Sequence, residues 1–151
     1  MAVQTVPTKG NLMNTKKSLA LAKNGYELLD RKRNILIREM MTLIDHANAI
    51  QQKIDDAYAE AYTALQTANV TNGLRTTNSA IDKVYTKFTE VKNLTVELAE
   101  IENSVYRLAD SIKKTQKRAN ALKNIMIPRF EETVKFISDA LDEKDREEFS
   151  R

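Results

Sequence analysis

An apolar repeat that runs from Leu12 to Ala68 constrains this chain more than any other feature of its sequence. With Leu12 at position a of a heptad and Thr15 at position d, only Thr15 and Arg33 break the apolar pattern. A sustained period of about 3.5 residues is typical of a long helix that packs lengthwise against another helix. We therefore predict one helix over about residues 9–68. The a positions are Leu12, Leu19, Tyr26, Arg33, Met40, Ala47, Ile54, Ala61 and Ala68, and the d positions are Thr15, Ala22, Leu29, Leu36, Leu43, Ile50, Ala57 and Ala64.

Turn-forming and capping residues mark where this helix begins and ends. Pro7-Thr8 suits a helix start with Thr8 as the N-cap, so residues 1–8 are predicted to be a flexible N-terminus. Asn72-Gly73 lies in the one convincing break of the pattern, and glycine there is a structural residue that ends the helix. We predict a link over about 69–77, after which Thr76, Thr77 or Asn78 caps the next helix.

A second helix is predicted over about 78–149. Its apolar stripe is interrupted by Lys87 and Thr115, and Pro128 then removes a backbone donor and crowds the carbonyl of Asn124. Beyond the proline the stripe resumes one position out of phase, so we predict a helix that is kinked at Pro128 but continuous. The stripe is Val84, Val91, Leu94, Leu98, Ile101, Val105, Leu108, Ile112, Ala119, Leu122 and Met126, followed by Ile127, Phe130, Val134, Ile137 and Leu141.

Two long helices joined by a short link predict an all-α fold, a long antiparallel two-helix coiled-coil hairpin that forms a single domain over 9–151. The second helix could instead pair with another chain, but the short link favours the intramolecular hairpin because it lowers the entropy of closing the loop. Arg33 lies at a seam position, where it either extends toward solvent or pairs with an acid across the seam.

The sequence offers little material for catalysis or for a bound cofactor. It has no cysteine, its three glycines are isolated, and its one histidine, His46, flanks the seam. The acids between Asp139 and Glu148 alternate with Lys144 and Arg146, as on a solvated helix face. No apolar run is long enough to cross a membrane, and the opening residues lack the apolar core of a signal peptide. We expect no catalytic residue, no cofactor and no metal.

The basic clusters at Arg31–Arg33 and Lys113–Lys123 raise the question of nucleic-acid binding. We expect none, because the same helices also carry acids and no aromatic platform lies among the basic residues. A solvated face or a contact with a protein partner fits this pattern better.

Two blocks of the sequence resemble one known family. The segment TQKRANALKNIMIPRFEETVKFISDALDEKDREEF, from Thr115, is similar to the C-terminal signature of the D subunits of V-type and A-type rotary ATPases. The segment PTKGNLMNTKKSLALAKNGYELLDRKRNILIREMM, from Pro7, resembles the opening of the same family, with Gly25 at its glycine. Compared with that family, this chain lacks a middle segment that includes a short β-hairpin, and it stops before a basic C-terminal tail.

The resemblance implies a central-stalk rotor subunit without an active site of its own, cytoplasmic and peripheral to the membrane. Its expected partners are the catalytic and non-catalytic head subunits, the small F subunit of the rotor and the subunit that docks on the membrane ring. Pro128, Gly25, Arg33 and Gly73 are the expected structural residues. The residues expected to contact the head are Lys16, Lys17, Lys23, Arg129, Lys135, Asp139 and Glu143. The alternative function is a coiled-coil scaffold or a chaperone-like clamp that grips clients at its tips.

Overall fold

The structure, a computed structural model, describes residues 6–70 and 77–150. Helix α1 spans Lys9–Val70 and α2 spans Thr77–Ala121; a π-helical turn follows at Leu122–Met126, and α3 spans Ile127–Phe149. No strand occurs in the described ranges, and the fold class is the predicted all-α helical hairpin. Gly73 of the predicted link and the cap candidate Thr76 lie outside the described residues, and so do the side chains of the other two cap candidates, Thr77 and Asn78.

The start of α1 follows from the side chain that precedes it. The Asn11 amide donates to Thr8 Oγ1 at 3.2 Å, and the Leu12 amide donates to the Thr8 carbonyl at 2.9 Å. Thr8 therefore satisfies a backbone donor that has no partner within the helix, which confirms it as the N-cap.

The helices contribute to two compact units. The terminal unit comprises the described residues up to Ile35 and from Ser111 onward, and the middle unit comprises Leu36–Asp110. In both units, every a and d position assigned from the sequence in α1 is buried or partly buried. The heptad assignment is thus confirmed along the whole of α1.

The middle unit has its core in a cluster from both of its helical segments, with Ile50, Ile54 and Ala57 facing Val91 and Ile101. Ile50 is only 1% exposed. The segments run antiparallel, because Glu60 of α1 pairs with Lys87 while the earlier His46 lies near the later Glu97. Leu43, Ala47, Leu94, Leu98 and Val105 pack around this cluster.

Aromatic rings cover one flank of the alanine-rich part of the middle unit. Ala61 is fully buried, and the Tyr58 and Tyr62 rings, its near neighbours in sequence, stack at 6.1 Å between centroids. Phe88 of α2 meets both rings edge-on at 6.2 Å. Alanine side chains bury little apolar area, so the seam around Ala61 is weakly packed. The aromatic contacts add apolar packing there.

The terminal unit is built on small residues in the seam and one large buried side chain. Ala119 and Ile137 are fully buried, and Ala22 is 8% exposed. Thr115, predicted as a polar interruption, is 5% exposed and donates from Oγ1 to the Ser111 carbonyl at 2.8 Å. Its hydroxyl therefore needs no partner across the seam, which explains why a buried threonine is tolerated there.

Lys87, the other polar residue of the predicted stripe, is held by two carboxylates. Its Nζ lies 2.5 Å from Glu60 Oε2 on α1 and 3.2 Å from Glu90 Oε2 on its own helix. These hydrogen bonds, first with Glu60 and then with Glu90, raise the pKa of Lys87 above its ordinary value, although partial burial opposes the shift.

We expect this ion pair to give stability that is lost in alkali. A raised lysine pKa in the folded state stabilises the fold fully below the unfolded pKa, and the contribution disappears as pH rises above about 10.5 through the folded pKa. Urea unfolding measured from pH 8 to pH 12 should show that the free energy of unfolding falls less with rising pH in Lys87→Met than in the parent chain. The exposed control Lys92→Met should follow the parent, and a Lys87→Met profile identical to the parent's would contradict the assignment.

Candidate partner-binding surface of the terminal unit

The residues expected to contact a partner all belong to the terminal unit, and all are exposed. Lys16 and Lys17 line a shallow groove near the start of α1, together with Lys9, Leu12, Met13 and Ala20. Asp139 and Glu143 line a second groove on α3, together with Asp142, Arg146, Glu147 and Ser150. One groove is basic and partly apolar and the other is mainly acidic, so the unit offers charged surfaces of both signs.

Lys23 differs from the other predicted contact residues, because it already has a partner. Its Nζ lies 2.7 Å from Glu131 Oε1, and both side chains are about half exposed. An exposed pair of this kind contributes at most about 1 kcal/mol to stability. It can therefore exchange its partner for a group on another protein at small cost. Arg129 and Lys135 are exposed on α3.

A polar layer surrounds Arg33 in the seam. The guanidinium pairs at 2.6 Å with Asp30 on its own helix, and Nη1 donates to Gln116 Oε1 at 2.8 Å. Gln116 in turn donates to Asn120 Oδ1 at 2.7 Å. The acid that pairs with Arg33 is thus on the same helix, and the residue across the seam is an amide rather than the acid considered from the sequence.

We expect this layer to favour one register of the two helical segments of the terminal unit, at the expense of apolar packing. We expect Arg33→Leu to raise the free energy of unfolding by about 1 kcal/mol, because leucine at a seam position packs without a charge to be desolvated. Thermal unfolding followed by circular dichroism measures the change. The exposed control Arg38→Leu should stay within about 0.5 kcal/mol of the parent. If Arg33→Leu were less stable than the parent, the polar layer would be a net source of stability.

The second helix is interrupted by a single π-helical turn, which precedes Pro128. The Ile127 amide donates to the Leu122 carbonyl, five residues back instead of four, and Pro128 lies in the first turn of α3. The helix therefore continues through Pro128 as predicted, with right-handed helical backbone on both sides of the π turn, and the kink at Pro128 stays a prediction. Proline fits this position because it has no amide hydrogen to place in the disturbed hydrogen-bond ladder.

The π turn accounts for the change of phase in the apolar stripe. Leu122 and Ile127 are both partly buried, whereas Ile125 is 63% exposed and Met126 is 38% exposed. The wider turn absorbs one extra residue, so Ile127 takes the seam position that Met126 would occupy in a regular α-helix. The expectation that Met126 belongs to the stripe is wrong, and the buried face continues from Ala119 to Ile137.

Gly25 and its neighbour Tyr26 lie next to this turn. A Cβ on Gly25 would be 3.6 Å from Leu122 Cδ1, which is an ordinary contact, so the packing leaves room for an alanine at this position. The Lys123 Nζ lies 5.7 Å from the centre of the Tyr26 ring, within range of a cation–π interaction. Sequence patterns do not pair these residues, because the heptad gives their faces but not the distance between them.

His46 and the acidic end of α3 are exposed, as the sequence predicts. The His46 side chain is 55% exposed, with Nε2 3.9 Å from Glu97 Oε1. From Asp142 to Ser150 every side chain is exposed. Among the described residues, no helix has a stretch both long and apolar enough for a membrane span.

Comparison with known proteins decides the family. The family of ATP synthase D subunits matches residues 11–78 and 69–151. The chain belongs to this family. It is 35% identical to the V-type ATP synthase D subunit of Thermotoga neapolitana over 193 aligned positions, which cover 99% of this chain and 95% of the relative.

Archaeal members of the family are similar at nearly the same level. The A-type ATP synthase D subunit of Thermococcus kodakarensis is 33% identical, and that of Pyrococcus furiosus is 32% identical. Each alignment spans 192 positions and covers 96% of this chain and 90% of the relative. Because these alignments are longer than the 151 residues of the chain, the relatives carry residues with no counterpart in it. The two family matches overlap at 69–78, which places the residues that this chain lacks at the predicted link.

Proposed function

We propose that this chain is the central-stalk rotor subunit of a V/A-type ATPase. In that role it couples ATP hydrolysis or synthesis in the catalytic head to ion transport through the membrane ring. It contributes no catalytic residue and no cofactor, and it works in the cytoplasm at the membrane periphery. Its partners are the catalytic and non-catalytic head subunits, the small F subunit of the rotor and the docking subunit of the membrane ring.

The observation that carries this proposal is the apolar seam in each unit, in a chain that matches D-subunit relatives along nearly its full length. A shaft has to transmit torque without separating into two independent helices. Interlocked seam side chains such as Ile50, Ile54 and Val91 resist that separation, because sliding or opening the pair exposes apolar surface to water.

The terminal unit supports the proposal through its surface. A rotor has to present different surfaces in turn to the subunits that surround it, and it must not bind any of them permanently. The basic groove that includes Lys16 and Lys17, and the acidic groove that includes Asp139 and Glu143, differ in charge. Exposed charges of this kind form contacts that water and salt can replace at low cost.

Co-purification with the head subunits from the same source tests the proposal. The chain should co-elute with both head subunits, with the head subunits in excess over it. Reversing two charges, in Lys16→Glu/Lys17→Glu, should weaken the complex about tenfold or more. The matched control Lys83→Glu/Lys92→Glu makes the same change of charge in the middle unit and should have a smaller effect on head binding.

Two outcomes would overturn the proposal. If the folded chain captured varied proteins and not the head subunits, the scaffold or clamp function would replace it. If both double variants weakened head binding equally, the effect would reflect overall charge, and the terminal unit would lose its assignment as the contact surface.

A further inference from the structure

Three large apolar side chains form an exposed stripe on the outer face of α1 in the terminal unit. Leu21 is 76% exposed, Leu28 is 65% exposed and Ile35 is 63% exposed. They are spaced seven residues apart and occupy the same heptad position, c, on the side of the helix away from the seam. We name these three residues the outer stripe.

The spacing of the outer stripe distinguishes it from scattered apolar residues on a surface. Single exposed leucines are common in proteins and need no explanation. Residues seven apart on a coiled-coil helix lie nearly in line along the axis and form the repeat that a further helix packs against. Such a row of side chains forms an extended surface without a cavity. It therefore suits a long helix better than a small molecule that binds in a pocket.

The charges around the outer stripe are mostly basic, and Glu39, four residues after Ile35, is the one acid three or four positions away. Side chains three and four positions away are its surface neighbours on the helix. Within the terminal unit these neighbours are Lys17, Ser18, Asn24, Gly25, Arg31 and Lys32. Three are basic and none is acidic, and among the described residues no carboxylate forms an ion pair with Lys17, Arg31 or Lys32.

We propose that the outer stripe binds an amphipathic helix of another protein whose apolar seam is flanked by acidic residues. Leucine-sized side chains on that helix would cover Leu21, Leu28 and Ile35. Its carboxylates would meet Lys17, Arg31 and Lys32, in the way that charges flanking a coiled-coil seam select their partner. This inference goes beyond the rotor function and does not depend on it.

The occupant is a protein helix rather than a second copy of the stripe. Two copies of the outer stripe facing each other would bring their basic flanks together, and like charges across a helical seam disfavour pairing. A membrane surface fits less well, because a single line of three side chains is narrow for insertion between lipid headgroups.

Two synthetic peptides test the charge and the apolar part of the proposal together. Both have the same leucine seam over about four heptads, a length at which such helices are stable enough to bind. One carries glutamate at the flanking positions and the other carries lysine. Fluorescence anisotropy with the full chain should show the glutamate peptide binding at least about tenfold more tightly than the lysine peptide, and more weakly as salt is added.

Variants of the chain assign the binding to the outer stripe. Leu28→Asp and Arg31→Glu should each weaken the glutamate peptide about tenfold or more. The control Val96→Asp changes a residue that is 55% exposed in the middle unit and should leave binding unchanged. Because Leu28 is largely exposed, Leu28→Asp should keep the parent's circular dichroism spectrum, so a loss of binding will not come from unfolding.

Each contrary result overturns the proposal in a different way. The proposed acidic helix would be excluded as the partner by any of three results. These are no binding of the glutamate peptide, equal binding of the two peptides, or binding that Leu28→Asp does not change. Sedimentation that showed a dimer lost in Leu28→Asp would assign the stripe to a second copy. Leu28-dependent binding to phosphatidylserine vesicles without binding of the glutamate peptide would assign it to a membrane.

Discussion

Replacing Ile50 by aspartate is expected to lower the free energy of unfolding by at least about 3 kcal/mol. Ile50 is 1% exposed, and it belongs to the cluster that joins the two helical segments of the middle unit. Aspartate there would bury a carboxylate with no cation beside it in the cluster, and it would remove the apolar contacts of isoleucine. Urea unfolding at pH 7, followed by the helical circular dichroism signal, measures the loss.

Val96→Asp is the matched control for this prediction. It introduces the same side chain in the same unit, at a residue that is 55% exposed. We expect a change within about 0.5 kcal/mol, because the carboxylate stays in water. If Ile50→Asp were as stable as Val96→Asp, Ile50 would not be a core residue and the seam assignment would fail for the middle unit.

Deleting one residue at the π turn is expected to leave the free energy of unfolding almost unchanged. Deleting one residue within α3 is expected to lower it strongly. The comparison is made in a Pro128→Ala background, because proline in a regular helix would itself cost about 3 kcal/mol. Deleting Ile125 removes the extra residue of the turn, so Leu122 and Ile127 become four apart and both stay in the seam. The variant should be at least as stable as Pro128→Ala alone.

Deleting Glu132 instead should lower the free energy of unfolding by at least about 3 kcal/mol. Glu132 is exposed, so its own side chain matters little. Its loss rotates the rest of α3 by about 100° relative to the preceding turn. Either the fully buried Ile137 leaves the seam, or Ile127 and Phe130 leave it in compensation.

Urea unfolding of the two deletion variants beside Pro128→Ala decides the matter. Equal destabilisation by both deletions would contradict the account in which the π turn accommodates the change of phase. Equal destabilisation would mean that local contacts around Ile125 stabilise the π turn, whatever the position of the seam residues.

The sequence predicts the helical seam well, because heptad periodicity is a local property of a chain. The a and d positions of α1 lie in the seam even where the residue is polar, as Thr15 and Arg33 show. Thr8 as N-cap follows from equally local chemistry. Such features depend on neighbours within a few residues, which the sequence displays directly.

Contacts across the seam are less predictable, since the heptad fixes a face but not the level at which two helices meet. Gln116, not an acid, receives the hydrogen bond from Arg33 across the seam, and Glu60 is the acid of α1 that pairs with Lys87. The change of phase near Pro128 is visible in the sequence. Its structural form is a π turn that exposes Met126. That form depends on whether burial of the seam residues on both sides of the turn outweighs regular α-helical hydrogen bonding, which the sequence does not display.

Partner contacts are the least accessible of all, because an exposed charge looks the same with or without a partner. Family resemblance and exposure still support the predicted contact residues, which are Lys16, Lys17, Lys23, Arg129, Lys135, Asp139 and Glu143. Their charges allow a contact but do not specify one. Only binding measurements on variants distinguish a contact surface from a solvated face.

Observation of rotation tests the central claim most directly. The head subunits would be fixed to a surface, assembled with this chain, and supplied with ATP while a bead attached near Glu90 of the middle unit is followed by microscopy. A rotor shaft predicts unidirectional, stepwise rotation of the bead that stops when ATP is removed. A bead that stays still while the assembled head hydrolyses ATP would contradict the proposed rotor function.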